Sequence, residues 1–298
     1  MRNLFSEYLD DFFKKNGNSI LITADLGFSV FDEFRKKYSD RFINIGVAEQ
    51  NMIGVAAGIK SKGINVFAYS ISNFGVMRCL EQLRNDVIYH QLNVKLCCVG
   101  GGFAYGNLGY THLGVEDMGA LSLFNENIDI FCPSTREELK IILPLYFKSK
   151  KFSYLRLYRN NEINLEYDQI KNFYSIKGKI QKNLIITVGP ISEEIFKIRD
   201  RNFCHINFHT LTNIPKNVFI SIFDSKKIKN IIFVEEHTVV GSFFNTYLIK
   251  CAEYKVKLKS LFNRHFSLKK YKKNGSNKYL RKYYKMSSID IEAILKNL

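Results

Sequence analysis

A glutamate opens one of the least polar stretches of this 298-residue chain. From Glu49 to Ile59 the run Glu-Gln-Asn-Met-Ile-Gly-Val-Ala-Ala-Gly-Ile is apolar or small nearly all round a helical wheel. Such a pattern predicts a buried helix rather than one with a single wet face. A carboxyl group at its head resists ionisation unless a cation or a donor stands beside it, so it is able to share a proton with a ligand nitrogen near neutral pH. It is equally able to do no more than favour the positive end of its own helix. His112 is the second group of interest, in the glycine-rich loop 100–117, with Thr111 before it and Glu116-Asp117 after it. An imidazole titrates near neutrality, where it moves a proton or steadies a forming alkoxide. The glycines of that loop allow close backbone approach to a ligand, but their spacing is neither that of a Walker loop nor that of a dinucleotide fingerprint. A third cluster, Glu235-Glu236-His237, invites a metal or acid–base reading and also fits a structural turn.

These groups need elements to position them. Residues 4–15 carry apolar positions at helical spacing, and Asn16-Gly17-Asn18 closes that helix. A short apolar strand, 19–23, then delivers 24–29 to its carboxyl end, where ligands gather in parallel α/β sheets. The alternation repeats with strand 42–47, the helix from Glu49, a turn at Gly63, strand 65–68, helix 74–90 and strand 94–99. After the glycine-rich loop come helix 118–124, strand 128–132, helix 136–148 and strand 153–159. Strands and helices in this alternation predict an α/β fold with a parallel sheet. Residues 160–179 are polar and without period, as a connection would be. A second unit follows, with strands at 183–188, 203–208 and 231–234 and helices at 192–198, 215–225 and 242–253. A last amphipathic helix fills 287–298 from a Ser start. The expectation is two three-layer α/β/α domains, residues 1–165 and a smaller 180–298, with 166–179 as linker.

Composition narrows the function classes. With 46% hydrophobic and 24% charged residues the chain reads as an ordinary globular protein. No apolar run approaches the roughly 20 residues of a membrane span, and the first residues lack the apolar core of a signal peptide, so a cytoplasmic protein without membrane contact is expected. Six cysteines form no Cys-x-x-Cys pair and sit mostly among apolar neighbours, which suits reduced core residues rather than disulfides or zinc ligands. The net charge of +16, with Lys255 to Lys285 free of Asp and Glu, raises nucleic acid as a partner. No nucleic-acid motif accompanies it; a solvated basic face or an acidic partner subunit accounts for it better.

The run Asn44-Ile-Gly-Val-Ala-Glu49-Gln-Asn-Met followed by Gly54-Val-Ala-Ala-Gly58 closely resembles the pyrimidine-binding domain of the transketolase family. By that resemblance Glu49 is catalytic: it hydrogen-bonds a ring nitrogen of the aminopyrimidine of thiamine diphosphate and favours the imino form that takes the proton from the thiazolium carbon. Phe67-Ala-Tyr69-Ser-Ile71-Ser-Asn-Phe74, with Arg78 and Glu81-Gln82, is similar to the segment where the family packs aromatics around that ring. The likeness gives the stacking role to Phe74 and an apolar wall to Ile71, where a second phenylalanine often stands, and it puts Tyr69 among the cofactor-binding residues. A flat ring there contributes about 0.5–1.5 kcal/mol beyond its buried area. Thr111-His112 looks like the family's Thr-His over the cofactor, which places His112 by the reacting carbonyl and the substrate. Arg159 and Ser29 match an arginine and a serine that grip a sugar phosphate, with Arg156 a competing choice on the same strand. Val234-Glu-Glu-His237 and Gly241 are similar to a block of the family's C-terminal domain, where a structural turn and subunit contact are implied rather than catalysis.

The resemblance covers most of the chain and departs from it at two positions. Four residues before the motif histidine, typical members carry an aspartate that reads a donor hydroxyl, and this chain has Leu108. Twelve before it, many carry a phosphate-contacting histidine, and this chain has Gly100. Losing such a charged contact removes about 1.5–3 kcal/mol, so the usual pentulose phosphates are in doubt. The Gly-Asp-Gly segment and downstream Asn that hold the family's diphosphate and Mg2+ are not found, and no metal ligand is expected in this chain. The resemblance therefore implies the C-terminal subunit of a split transketolase, active with a separate N-terminal subunit in a heterotetramer and moving a two-carbon ketol unit from a ketose, phosphorylated or not, to an aldehyde. The alternatives are a decarboxylating thiamine enzyme subunit, deoxyxylulose-phosphate synthase-like or 2-oxo acid dehydrogenase β-type, and a non-catalytic paralogue.

Overall fold

The computed structural model describes residues 1–158, 164–265 and 273–298, with the backbone alone for 262–265. Helix α1 (Arg2–Lys15) buries Leu4, Phe5, Leu9 and Phe13 along one stripe and ends where the Asn16 N–H donates to Phe12 O. Strand β1 (Ser19–Thr23), helix α2 (Asp32–Lys37) and strand β2 (Phe42–Asn44) follow. Helix α3 (Glu49–Ser61) buries Glu49, Met52, Ile53, Ala56 and Ala57, an i, i+3, i+4, i+7, i+8 stripe. The expectation of burial all round is thus corrected: Gln50, Asn51 and Gly58 are exposed. Small residues there read as core in sequence, yet only one stripe of them faces the sheet.

Strand β3 (Asn65–Ile71) runs longer than its apolar start suggests, and the helix expected over 74–90 is broken into α4 (Ser72–Met77), α5 (Leu80–Gln82) and a π-helical turn over Leu83–Ile88. Strand β4 (Lys95–Val99), helix α6 (Asp117–Ser122), strand β5 (Ile128–Phe131), helix α7 (Arg136–Lys148) and strand β6 (Phe152–Leu157) complete the first sheet. Thr135 and Glu138 start α7 with a reciprocal capping box. The strand order is β2-β1-β3-β4-β6-β5, parallel throughout. The chain leaves β1 for β2 on one side and β3 for β4 on the other, so the crevice beyond the carboxyl ends of β1 and β3 is the place where such a sheet takes a ligand. Alternation along β3 turns Phe67, Tyr69 and Ile71 into an aromatic layer with Phe5, Phe13, Phe31, Phe34 and Tyr146.

The second sheet contains two strands from the expected connection, β7 (Gln169–Ile170) and β8 (Tyr174–Lys177). Both are antiparallel and close one edge; two- and four-residue strands carry too little pattern to be read in advance. Then come β9 (Asn183–Val188), α8 (Ser192–Phe196), β10 (Cys204–Phe208), α9 (Lys216–Phe223), β11 (Asn230–Glu235), α10 (Phe243–Tyr254), β12 (Ser260–His265), α11 (Asn277–Tyr283) and α12 (Ser288–Leu295). The order is β12-β11-β9-β10-β8-β7, with a second switch point between β9 and β11. The two sheets are bonded to each other. Cys132 N–H donates to His209 O at 2.8 Å and Leu211 N–H to Ile130 O at 2.9 Å, around an antiparallel bridge between Phe131 and Thr210. All six cysteines are buried and unpaired.

Candidate functional site

Gly46, with φ +74°, turns the chain out of β2 and leaves Glu49 as the first residue of α3, 3% exposed. Its Oε2 accepts a hydrogen bond from Arg78 Nη1 at 2.9 Å. Arg78 lies at the end of α4, four residues after Phe74, so both side chains leave one face of that turn. The guanidinium carbon stands 3.8 Å from the centre of the Phe74 ring. Phe74 in turn meets the imidazole of His112 edge-on, with centroids 5.0 Å apart. The His112 loop is tied to α4, where Asn73 Nδ2 donates to Thr111 O at 2.7 Å, and within the loop Thr111 Oγ1 lies 2.9 Å from His112 Nδ1. A carboxylate, a guanidinium, a flat ring and an imidazole thus follow one another in contact at the switch point of the first sheet.

Three of the residues expected from sequence, Glu49, Phe74 and His112, are therefore brought together. Ile71 ends β3 immediately before α4, 7% exposed in the aromatic layer. Tyr69 lies deeper, 2% exposed and edge-on to Phe31 at 4.9 Å, with burial pushing its phenol up. Ser29 sits beyond β1, exposed and in the left-handed region at φ +63°, where it lines a surface cavity with Asn3, Ser6, Asp10 and Lys37 that includes none of Glu49, Phe74 and His112. Arg159 lies outside the described residues. Arg156, its competitor, is 4% exposed: its Nε stands 3.0 Å from Asp117 Oδ2 and its Nη2 donates to Gly114 O. The Tyr154 hydroxyl also donates to Asp117, at 2.6 Å. Arg156 thus braces the His112 loop from beneath and faces no solvent.

The Glu235-Glu236-His237 cluster is used up in holding the chain together. Glu235 accepts from the N–H groups of Phe243 and Phe244 at 2.9 and 3.1 Å, capping α10. Glu236 accepts from Arg281 Nε at 2.6 Å and from Phe103 N–H at 3.3 Å. His237 Nε2 accepts from Gly119 N–H at 3.1 Å, so Nδ1 carries the proton toward Thr238 O, and burial holds the ring below its ordinary range. Arg281 further donates to Glu193, Glu194 and Pro190 O, filling the crevice between β9 and β11 from within. Among the described residues no three His, Cys, Asp or Glu side chains group as a metal site.

Gly100 has φ +87°, and the ring of Tyr105 occupies the space that a Cβ there would need. The loop is therefore built around the absence of a side chain at 100, and Tyr105, 6.4 Å from the His112 ring, takes that volume. Leu108 is 55% exposed. Sequence reasoning assigned no part to Arg78 or Tyr105. The signal for Arg78 was its i+4 spacing from Phe74; Tyr105 had none, since its contact is made by the fold of the loop.

Comparisons with known proteins bear on the family and the fold. Residues 1–162 match the family model described as transketolase, pyrimidine binding domain. A putative transketolase C-terminal section from Methanocaldococcus jannaschii is 32% identical over 254 residues, covering 81% of this chain and 78% of that protein. One of the subunits of the apulose-4-phosphate transketolase of Actinobacillus succinogenes is 29% identical over 276 residues, covering 88% and 85%. In fold the chain is similar to a solved split gene transketolase, an inactive beta4 tetramer, with a TM-score of 0.82 at 20% identity over 99% of this chain and 96% of that one.

Proposed function

This chain belongs to the transketolase family, and from that membership we propose that it is the cofactor-activating subunit of a thiamine diphosphate-dependent transferase moving a two-carbon ketol unit from a ketose to an aldehyde. The observation that carries the reading is the contact line from Glu49 through Phe74 to His112 at the switch point of the first sheet. The site fits a flat ring bearing hydrogen-bond donors, because the Arg78 guanidinium, itself flat and donor-rich, already lies on Phe74 while donating to Glu49. When bound, thiamine diphosphate supplies the carbanion chemistry of the transfer.

The chain's own residues supply the rest. Glu49 holds a ring nitrogen and moves a proton there, Phe74 offers its face, and Ile71, backed by Tyr69, closes an apolar side. His112 donates to, or takes a proton from, the substrate oxygen. Ser29 and Arg159 are the residues proposed for a phosphate on the substrate. We read residues 1–165 and 180–298 as the two domains, with 166–179 lending an antiparallel edge to the second. A separate N-terminal subunit holds the diphosphate and Mg2+, in a heterotetramer; the relatives that are themselves a single subunit or a C-terminal section support this. The buried free cysteines suit the reducing cytoplasm, and among the described residues no helix is long and apolar enough to cross a membrane.

Calorimetry with thiamine diphosphate and Mg2+ tests the reading, on the chain alone and on the chain co-purified with its partner subunit. Tight binding is expected in the assembly only. The loaded assembly should lengthen an aldehyde by two carbons at the expense of a ketose, and pyruvate offered in its place distinguishes the decarboxylating relatives. Glu49→Gln should lower turnover by at least about a hundredfold with the assembly intact; undiminished turnover would sink the catalytic assignment.

A further inference from the structure

The place in which a flat ring would lie is taken by the chain itself. The Arg78 guanidinium fills the gap between the Glu49 carboxylate and the Phe74 ring, bonded to the first at 2.9 Å and stacked on the second at 3.8 Å. It arrives there from outside: the Arg78 side chain is 46% exposed, while that of Glu49 is 3% exposed. Among the described residues Glu49 is its one hydrogen-bonding and ion-pair partner. Arg281 shows what a structural arginine looks like in the same fold. It is 3% exposed and donates to Glu236, Glu193, Glu194 and the Pro190 carbonyl. One half-exposed ion pair and one stacked face hold Arg78 far more lightly than that.

We propose that Arg78 is an internal stand-in for the aminopyrimidine, occupying the ring's seat between Glu49 and Phe74 while the site is empty and swinging outward when the ring enters. The inference rests on the functional reading above and adds to it a regulated exchange. Two physical needs are met by one residue. A buried carboxylate left without a partner is strongly unfavourable, and Arg78 provides that partner until a ligand does. The guanidinium also keeps the face of Phe74 covered by a group of the same shape as the ligand, so the seat stays open and flat. The consequence is competition: apparent affinity for the ring falls by the fraction of molecules in which the seat is free.

The test is thiamine diphosphate affinity at fixed Mg2+, by calorimetry on the chain assembled with its partner subunit, for the parent, Arg78→Ala and Arg78→Lys. If Arg78 fills the seat in about nine molecules of ten, Arg78→Ala binds about tenfold more tightly. Arg78→Lys falls between, since an ammonium keeps the pair with Glu49 but cannot lie flat on Phe74. In parallel, the Arg78 Nη–H resonances, protected in the cofactor-free assembly, should move to a solvent-like position on titration. Equal or weaker binding by Arg78→Ala overturns the proposal, because Arg78 would then stay in place or help to hold the ring. A protected resonance that persists at saturation overturns it too. Absence of binding in all three assemblies overturns the functional reading itself, and the inference with it.

Discussion

Lys95 carries a cation into the first sheet, where its Nζ donates to Ser149 O at 2.7 Å, Ser153 Oγ at 3.0 Å and Lys151 O at 3.2 Å. Three acceptors favour the ammonium; burial opposes it and prevails, pushing the lysine down to about 7. In the unfolded chain the same group titrates at about 10.4. Between these values the unfolded state binds a proton that the folded state does not, so this residue's contribution to stability rises with pH from 7 upward and is flat below. Urea unfolding of the parent and Lys95→Met at pH 7 and pH 9 should show the parent gaining about 2 kcal/mol relative to the variant; equal slopes would mean that the three acceptors keep the ammonium charged. At the site, Glu49, Phe74 and His112 were legible because each sits in a short run whose chemistry is local. Arg78 was visible but mute: its meaning lies in what it touches, twenty-nine positions from Glu49.

Elements show the same division. The alternation of apolar runs and helical periods made the parallel first sheet and most of the second readable, since the central strands are buried along their whole length and mostly apolar. Edges were not. β7, β8 and β12 lie at or beside sheet margins in polar or lysine-rich sequence, where pairing rather than composition makes a strand. The π-helical turn over Leu83–Ile88 also had no sequence mark. The His112 loop depends on backbone conformation, and Gly100 is one of its tightest points. Alanine there meets both the left-handed φ and the Tyr105 ring. Gly100→Ala should destabilise by about 1–3 kcal/mol. Pairing it with Tyr105→Ala in a double-mutant cycle should return the steric part and leave the conformational part. Full additivity in that cycle would refute the contact.

In the whole molecule, a parallel sheet and a mixed one offer two switch-point crevices, and among the described residues the first alone is left for a ligand. The second is sealed by Arg281, which also reaches the first half through Glu236 and the Phe103 amide. Arg281→Ala removes the cation beside buried Glu236 and leaves Lys197 as the cation beside Glu194, so a loss of about 3–5 kcal/mol is expected. Faster hydrogen exchange at Phe103 should accompany it; a variant as stable as the parent would show that the buried carboxylates take protons at little cost. The halves are joined a second time where residues 209–212 pair with β5 at the margin of the first sheet. That seam has a meaning during synthesis. The first sheet can form on the ribosome once β6 is made, but the outer edge of β5 stays open to any extended neighbour until the chain is roughly 50–55 residues longer, an interval of several seconds at ordinary elongation rates. For that time the nascent protein carries an unguarded strand, and nascent chains on one messenger are each other's nearest partners.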